Sequence, residues 1–330
     1  MVSLDMVIER LRRAHRVAIL THQRPDPDAL GSQAAAAFLL AKMGATEIYR
    51  VQFAEVPGPY KFLLDGVPGE TVMCSDEWAA RADSVDTVLL VDTCTYQQLE
   101  PATAFLKKHR DKVVAIDHHL SRDDIGPLLF KDTDAAACVE ILWELAGRAD
   151  IAVDAALALP LMAGLVGDTG WFRFDSVRPL THMMAADLVK HVDPSKLYER
   201  LMQNESRSKL ALMQRALSNV RWTCHEKFAC MVLRYADFTE INATQSQTEY
   251  LVDMPMIVGS VEVVALMSEM SDGRVRVSLR SKHDIDVNKI CNRMGGGGHA
   301  KAAGCRLEGP LEAAYTRLQH EVEQSLQASA

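Results

Sequence analysis

Residues 113–119 read VVAIDHH, and residues 87–93 read TVLLVDT. Each is a short apolar run that ends in carboxylate or imidazole side chains. Runs of this length without polar alternation are strands buried on both faces, the condition of a parallel sheet covered by helices. Towards the N-terminus, VAILTH (17–22) and EIYRVQ (47–52) repeat the pattern, and ALGSQAAAAFLLAKM (29–43) between them reads as an Ala/Leu-rich helix. This alternation predicts an α/β domain with a mainly parallel sheet flanked by helices over residues 1–190. Helical patterns dominate from Ala135 to about Asn219, and residues 191–222 are expected to form a helical linker. After it FACMVLRY (228–235), SVEVVALMSEM (260–270) and RVRVSLRSK (274–282) alternate, predicting a smaller α+β domain with a mixed sheet over 223–330. A helix from about Asp286 to Met294 then runs into four glycines, 295–298.

The chain has 330 residues, 48% hydrophobic and 24% charged, which suits a globular protein of two domains. Its net charge of −8 argues against broad binding to long nucleic acid, which needs an extended basic surface. A small nucleotide in a local pocket stays compatible with it. Seven cysteines without a CxxC pair predict reduced thiols in a cytoplasmic protein. The opening MVSLDMVIERLRRAHR has no apolar signal core, and the apolar stretch Ala155 to Gly167 is too short for a bilayer, so no membrane association is expected.

Ligands of open α/β sheets bind at the carboxyl ends of the strands. The first strand ends in THQRPDPD, with His22, Asp26 and Asp28. The run 87–93 supplies Asp92, and 113–119 supplies Asp117, His118 and His119. GDTG places Asp168 at the end of the apolar helix. Singly, each has a structural reading: turn formers beside prolines, a helix cap, a core histidine, a helix stop. Four such coincidences at one sheet edge are harder to accept than a metal site. His22, Asp26, Asp28, Asp92, His118 and Asp168 make four carboxylates and two imidazoles, whose negative charges balance two divalent cations. Oxygen-rich donors without thiolate suit Mn²⁺, with Mg²⁺ as the alternative, over structural zinc. Two such ions about 3.5–4 Å apart serve in-line attack on phosphorus. In the second domain, the four glycines before His299 let backbone N–H groups approach a phosphate. Arg280, in SLRS (278–281), suits a bidentate phosphate contact; a flexible linker and a solvated strand arginine are the plain alternatives.

HQRPDPDALGS, LLVDT, IDHH, GDTGWF, SLRSK and GGGGHAKAAG, in that order, resemble the motifs of the DHH–DHHA1 phosphoesterase superfamily over nearly the whole chain. Its length and two-domain layout resemble most the nanoRNase/pAp-phosphatase branch. The resemblance implies one metal held by His22, Asp26, Asp92 and Asp168, and another by Asp28, Asp92, His118 and Asp168. Asp117 would orient an imidazole, and His119 would face the substrate phosphate as a donor or proton carrier. Arg280, Ser281, Gly297, Gly298 and His299 would grip the distal nucleotide across a cleft from the metals. The implied reaction is two-metal hydrolysis of very short RNAs such as pGpG to 5′-mononucleotides, or of the 3′-phosphate of pAp, in a homodimer. Three positions depart from the pattern: Pro27 where relatives carry a small residue, Gln98 where many carry Arg, and Cys138 where Ser or Thr is common.

Rival readings within hydrolases are a cyclic-di-AMP phosphodiesterase, a RecJ-like exonuclease and a family II pyrophosphatase. The acidic charge and the lack of an added nucleic-acid-binding domain weigh against the exonuclease, and GGGGH in place of a basic C-terminal motif against the pyrophosphatase. A non-catalytic nucleotide-binding regulator would not need all six ligands. An RNA-binding module like that of alanyl-tRNA synthetases accounts for GGGGH but not for the N-terminal half.

Overall fold

The computed structural model describes residues 2–75, 78, 81–248, 250–298 and 300–328, in two compact units, Met1–Asn204 and Glu205–Ala330. In the first, strands β1 (Arg16–Leu20), β2 (Glu47–Gln52), β3 (Glu70–Met73), β4 (Thr87–Val91), β5 (Val113–Asp117) and β6 (Leu128–Lys131) form one parallel sheet in the order β3-β2-β1-β4-β5-β6. This is a doubly wound order, and it reverses direction between β1 and β4, where such sheets bind ligands. β4 and β5 are buried along their whole length, as their unbroken apolar runs predict. β3 and β6 are edge strands that the sequence reading did not place. ETVM is largely exposed and LLFK half-buried, so neither carries a continuous apolar signal.

Two helices fix the ligand-bearing ends. Helix Pro27–Lys42 starts with Asp26 as N-cap, whose Oδ1 accepts the Ala29 N–H at 2.9 Å, and with Pro27 in the first turn. Proline there lacks only an N–H that would go unbonded anyway, so the departure at Pro27 costs nothing and fixes the entry angle. This helix packs along helix Ala155–Asp168 through glycines. A Cβ on Gly31 would lie 2.5 Å from the Pro160 carbonyl, and one on Gly167 2.9 Å from the Pro27 ring. The backbones close to a distance that only missing side chains allow.

In the second unit β7 (Val220–Thr223), β8 (Phe228–Leu233), β9 (Val263–Glu269), β10 (Val275–Ser281), β11 (Gly297–Gly298) and β12 (Ala302–Leu307) form a mixed sheet in the order β11-β12-β10-β9-β8-β7. Only the β8–β9 pair is parallel. One face packs on helices Val287–Arg293 and Leu311–Ala328 through Phe228, Val277, Ile290 and Leu318; the other packs on Leu212 and Ala216 of helix Arg207–Ser218. The stretch expected as a linker holds helix Pro194–Met202 in the first unit and helix Arg207–Ser218 in the second. No helix among the described residues is long and apolar enough to cross a membrane.

Candidate metal centre

The strand ends of the first unit bring the predicted ligands together. His22, Asp26 and Asp92 offer ligand atoms within 4.8 Å of one another, and so do Asp28, His118 and Asp168, and, overlapping both, Asp92, His118 and His119. Asp92 lies between the two groups: its Oδ2 is 3.4 Å from His22 Nε2, and its Oδ1 is 3.4 Å from His118 Nε2. His118 Nε2 is also 3.1 Å from Asp168 Oδ2 and 3.8 Å from Asp28 Oδ2. Asp168 joins the second group, where the resemblance had given it to both. Asp92 holds φ +60°, a left-handed backbone that Asp tolerates better than most residues and that aims its carboxylate across the strand ends.

Electrostatics shows the crowding. Desolvation and, with more weight for a side chain that is 44% exposed, the charges of Asp92 and Asp168 push Asp26 up to about 6. Burial, then the same two carboxylates, raise Asp28 well above the usual carboxylate range. Burial works against the charged form of His118, but the negative charges of Asp168 and Asp92 beside it favour that form and push it up to about 12. Asp92 itself falls below the ordinary range, because His118 and His22 outweigh its burial. Within this cluster the buried atoms Asp92 Oδ1 and His118 Nε2 have no hydrogen-bond partner among the described residues. Buried polar atoms left unbonded are costly. Hard oxygen donors with two imidazoles, arranged in two groups that share a carboxylate, fit two divalent ions.

Outer contacts orient these ligands. Asp28 is fully buried at the start of helix Cys138–Arg148 and accepts the Cys138 N–H at 2.6 Å and the Val139 N–H at 3.1 Å. Position 138 thus contributes its backbone, so cysteine serves there as well as serine would. His118 Nδ1 donates to the Ala135 carbonyl at 3.2 Å, leaving Nε2 for the cluster. Asp117, also fully buried, accepts the N–H groups of His118 and His119 and bonds His119 Nδ1 at 2.8 Å. The imidazole that Asp117 orients is therefore that of His119. Cys94, a residue the sequence reading did not single out, donates its thiol to Asp117 Oδ2 at 2.8 Å. Gln98 accepts from Thr93 and Thr95, bracing the loop behind Asp92.

The expected substrate residues lie in the second unit. Arg280 on β10 faces Asp253 at 3.5 Å and bonds the Leu279 carbonyl. Ser281 is buried, and its hydroxyl donates to the Ile285 carbonyl at 2.6 Å, pinning the turn after β10. Gly297 and Gly298 pair with Gly304 and Ala303 of β12. A Cβ on Gly298 would lie 2.5 Å from the Ala302 carbonyl, so this glycine serves a close approach between strands. His299 lies outside the described residues.

Residues 16–165 match the DHH family, N-terminal domain, and residues 227–328 match the DHHA1 domain. The chain is 29% identical over 315 residues to the bifunctional oligoribonuclease and PAP phosphatase of Thermus thermophilus, covering 94% of this chain and 90% of that one. It is 28% identical over 305 residues to the Bacillus subtilis protein of the same name, covering 87% of each. An exopolyphosphatase-related protein from Bacteroides fragilis has the same fold, with a TM-score of 0.89 at 21% identity over 97% of this chain and 95% of that one.

Proposed function

The chain belongs to the DHH–DHHA1 family, and we propose that it is a two-metal phosphoesterase cleaving very short oligoribonucleotides to 5′-mononucleotides and removing the 3′-phosphate of pAp. The observation that carries the reading is Asp92, which turns one carboxylate oxygen to each of two ligand groups. The relatives named for both activities match along nearly their full length, which supports the substrate class.

His22, Asp26 and Asp92 would hold one ion, and Asp28, His118, Asp168 and Asp92 the other, with Mn²⁺ the ion the donors suit best. When bound, the ions supply Lewis acidity at the phosphoryl oxygens and a nucleophile at neutral pH. The protein's part is to fix the donors. The N–H groups of Cys138 and Val139 hold Asp28, and the Ala135 carbonyl sets the His118 tautomer. Asp117 occupies His119 Nδ1, so Nε2 is the atom offered to a phosphoryl oxygen or leaving group. Arg280, Gly297, Gly298 and His299 are assigned to the distal nucleotide, while Ser281 shapes the turn beside them. The enzyme would act in the cytoplasm as a homodimer.

A turnover screen with Mn²⁺ across RNAs of two to twenty nucleotides, pAp and cyclic dinucleotides tests the assignment. Two-nucleotide RNA and pAp should be the best substrates. Equal rates on all RNA lengths, or cleavage of cyclic dinucleotides alone, would overturn it.

A further inference from the structure

The segment that follows Asp168 carries strain that metal ligation does not explain. Gly170, Trp171 and Phe172 adopt φ of +54°, +60° and +65° in succession. For residues other than glycine this left-handed conformation is disfavoured, because Cβ crowds the following carbonyl oxygen. The turn is held by the Trp171 N–H on the Val166 carbonyl at 2.9 Å and by fully buried Thr169. The Thr169 hydroxyl accepts the Phe172 N–H, and its carbonyl accepts the N–H groups of Arg173 and Phe174. The turn packs the Trp171 ring against Tyr198 and the Phe172 ring on His182, with centroids 4.9 and 5.5 Å apart, and leaves the next ring in the exposed position. Phe174 remains 46% exposed, with the Arg173 guanidinium over it at 5.0 Å from the ring centroid. A Cβ on Gly170 would come within 2.7 Å of the Phe174 ring and 2.9 Å of Arg173 Nε, so the pair rests directly on the glycine two residues beyond Asp168.

A lone exposed phenylalanine on a protein surface is ordinary. One held by consecutive left-handed residues against the backbone of a candidate ligand loop is not, because strain of this kind persists where the surroundings enforce it for function. We propose that Phe174, backed by Arg173, is a stacking platform for the nucleobase of the nucleotide whose phosphate the ions bound by the carboxylate cluster would hold. This rests on the phosphoesterase reading above. An aromatic face with a guanidinium stacks any base without reading its edge, which suits a site that takes short RNA of any sequence.

The test is calorimetric titration of the full-length, Mn²⁺-loaded protein with AMP and with ribose 5-phosphate, which keeps the phosphate and lacks the base. Wild type should bind AMP more tightly. Phe174→Ala should weaken AMP by roughly tenfold or more, leave ribose 5-phosphate unchanged and melt as wild type does. Phe174→Trp should retain AMP binding, and Phe174→Leu should not. Equal loss for both ligands, no loss for AMP, no wild-type preference for AMP, or a leucine variant as good as tryptophan would each overturn the platform. Because the titration needs no turnover, it is independent of the activity screen. A wild type that binds AMP in this way yet cleaves no RNA would sink the catalytic reading and leave the platform standing.

Discussion

Gly164→Ala should disable one ligand group without replacing a ligand. Gly164 faces the buried carboxylate of Asp28 from helix Ala155–Asp168, and a Cβ there would lie 2.7 Å from Asp28 Oδ1 and 2.6 Å from Val139 Cγ1. Neither neighbour can retreat freely. Asp28 is tied to the Cys138 and Val139 N–H groups, and Val139 is fully buried in the core. Overpacking of this kind costs about 1–3 kcal/mol. A displaced outer contact typically lowers metal affinity about 10–100-fold. Calorimetric titration with Mn²⁺ should therefore show one of two sites weakened by that factor, with His22, Asp26 and Asp92 binding as before, and the first unit should melt several degrees lower. Gly147→Ala is the control. It lies on an exposed helix position where a Cβ meets nothing within 4 Å, so it should leave binding intact and stabilise slightly. A Gly164→Ala protein that binds two Mn²⁺ with wild-type affinity would refute the role given to Asp28.

Asp92→Asn should lose both ions and all turnover, since one carboxylate serves both groups; retention of even one wild-type site by metal titration would separate the groups. Arg280→Ala should lower kcat/KM on a dinucleotide roughly ten- to a hundredfold, as expected for loss of a charge-assisted phosphate contact of about 1.5–3 kcal/mol. Its Mn²⁺ affinity should not change, and loss of bound metal would show Arg280 to be structural. His118, raised to about 12 without metal, must give up a proton to any ion bound there. Asp28 in the same group, raised well above the carboxylate range, gives up a proton with it, so affinity there should rise with pH between pH 6 and 9. Flat affinity over that range, measured by titration, would contradict the assignment of His118 as a ligand.

Much of the site was legible because its chemistry is written at strand ends. VLLV and VVAI are buried on both faces, so the residues that follow them must emerge at one sheet edge, and Asp92, Asp117 and His118 do. The unread strands failed for physical reasons. β3 and β6 have only one neighbour each and are partly exposed, and β12, AAGCRL, hides among small residues. Tertiary closeness was equally invisible. Nothing in ALALPLMAGLVG says that Gly164 must leave room for a carboxylate from another helix. GGGG read as a phosphate loop, and nothing in its sequence shows that Gly296 and Gly298 also lie close against β12. That Asp117 serves His119 follows from the turn after β5, since the pattern IDHH allows either imidazole.

The ligands that meet at the β1–β4 junction arrive from four separate stretches of chain, near residues 22–28, 92, 118 and 168. No single strand or helix of the first unit contains them all, and the unfolded chain does not gather them. Ions held there would bind the native state alone, and at a hundred times the dissociation constant each would add about 2.7 kcal/mol to stability. Metal supply would then govern how much of the enzyme survives proteolysis as well as how fast it turns over. Cells starved of the ion should lose the protein itself, at a rate that a protease-protection assay with and without chelator would measure.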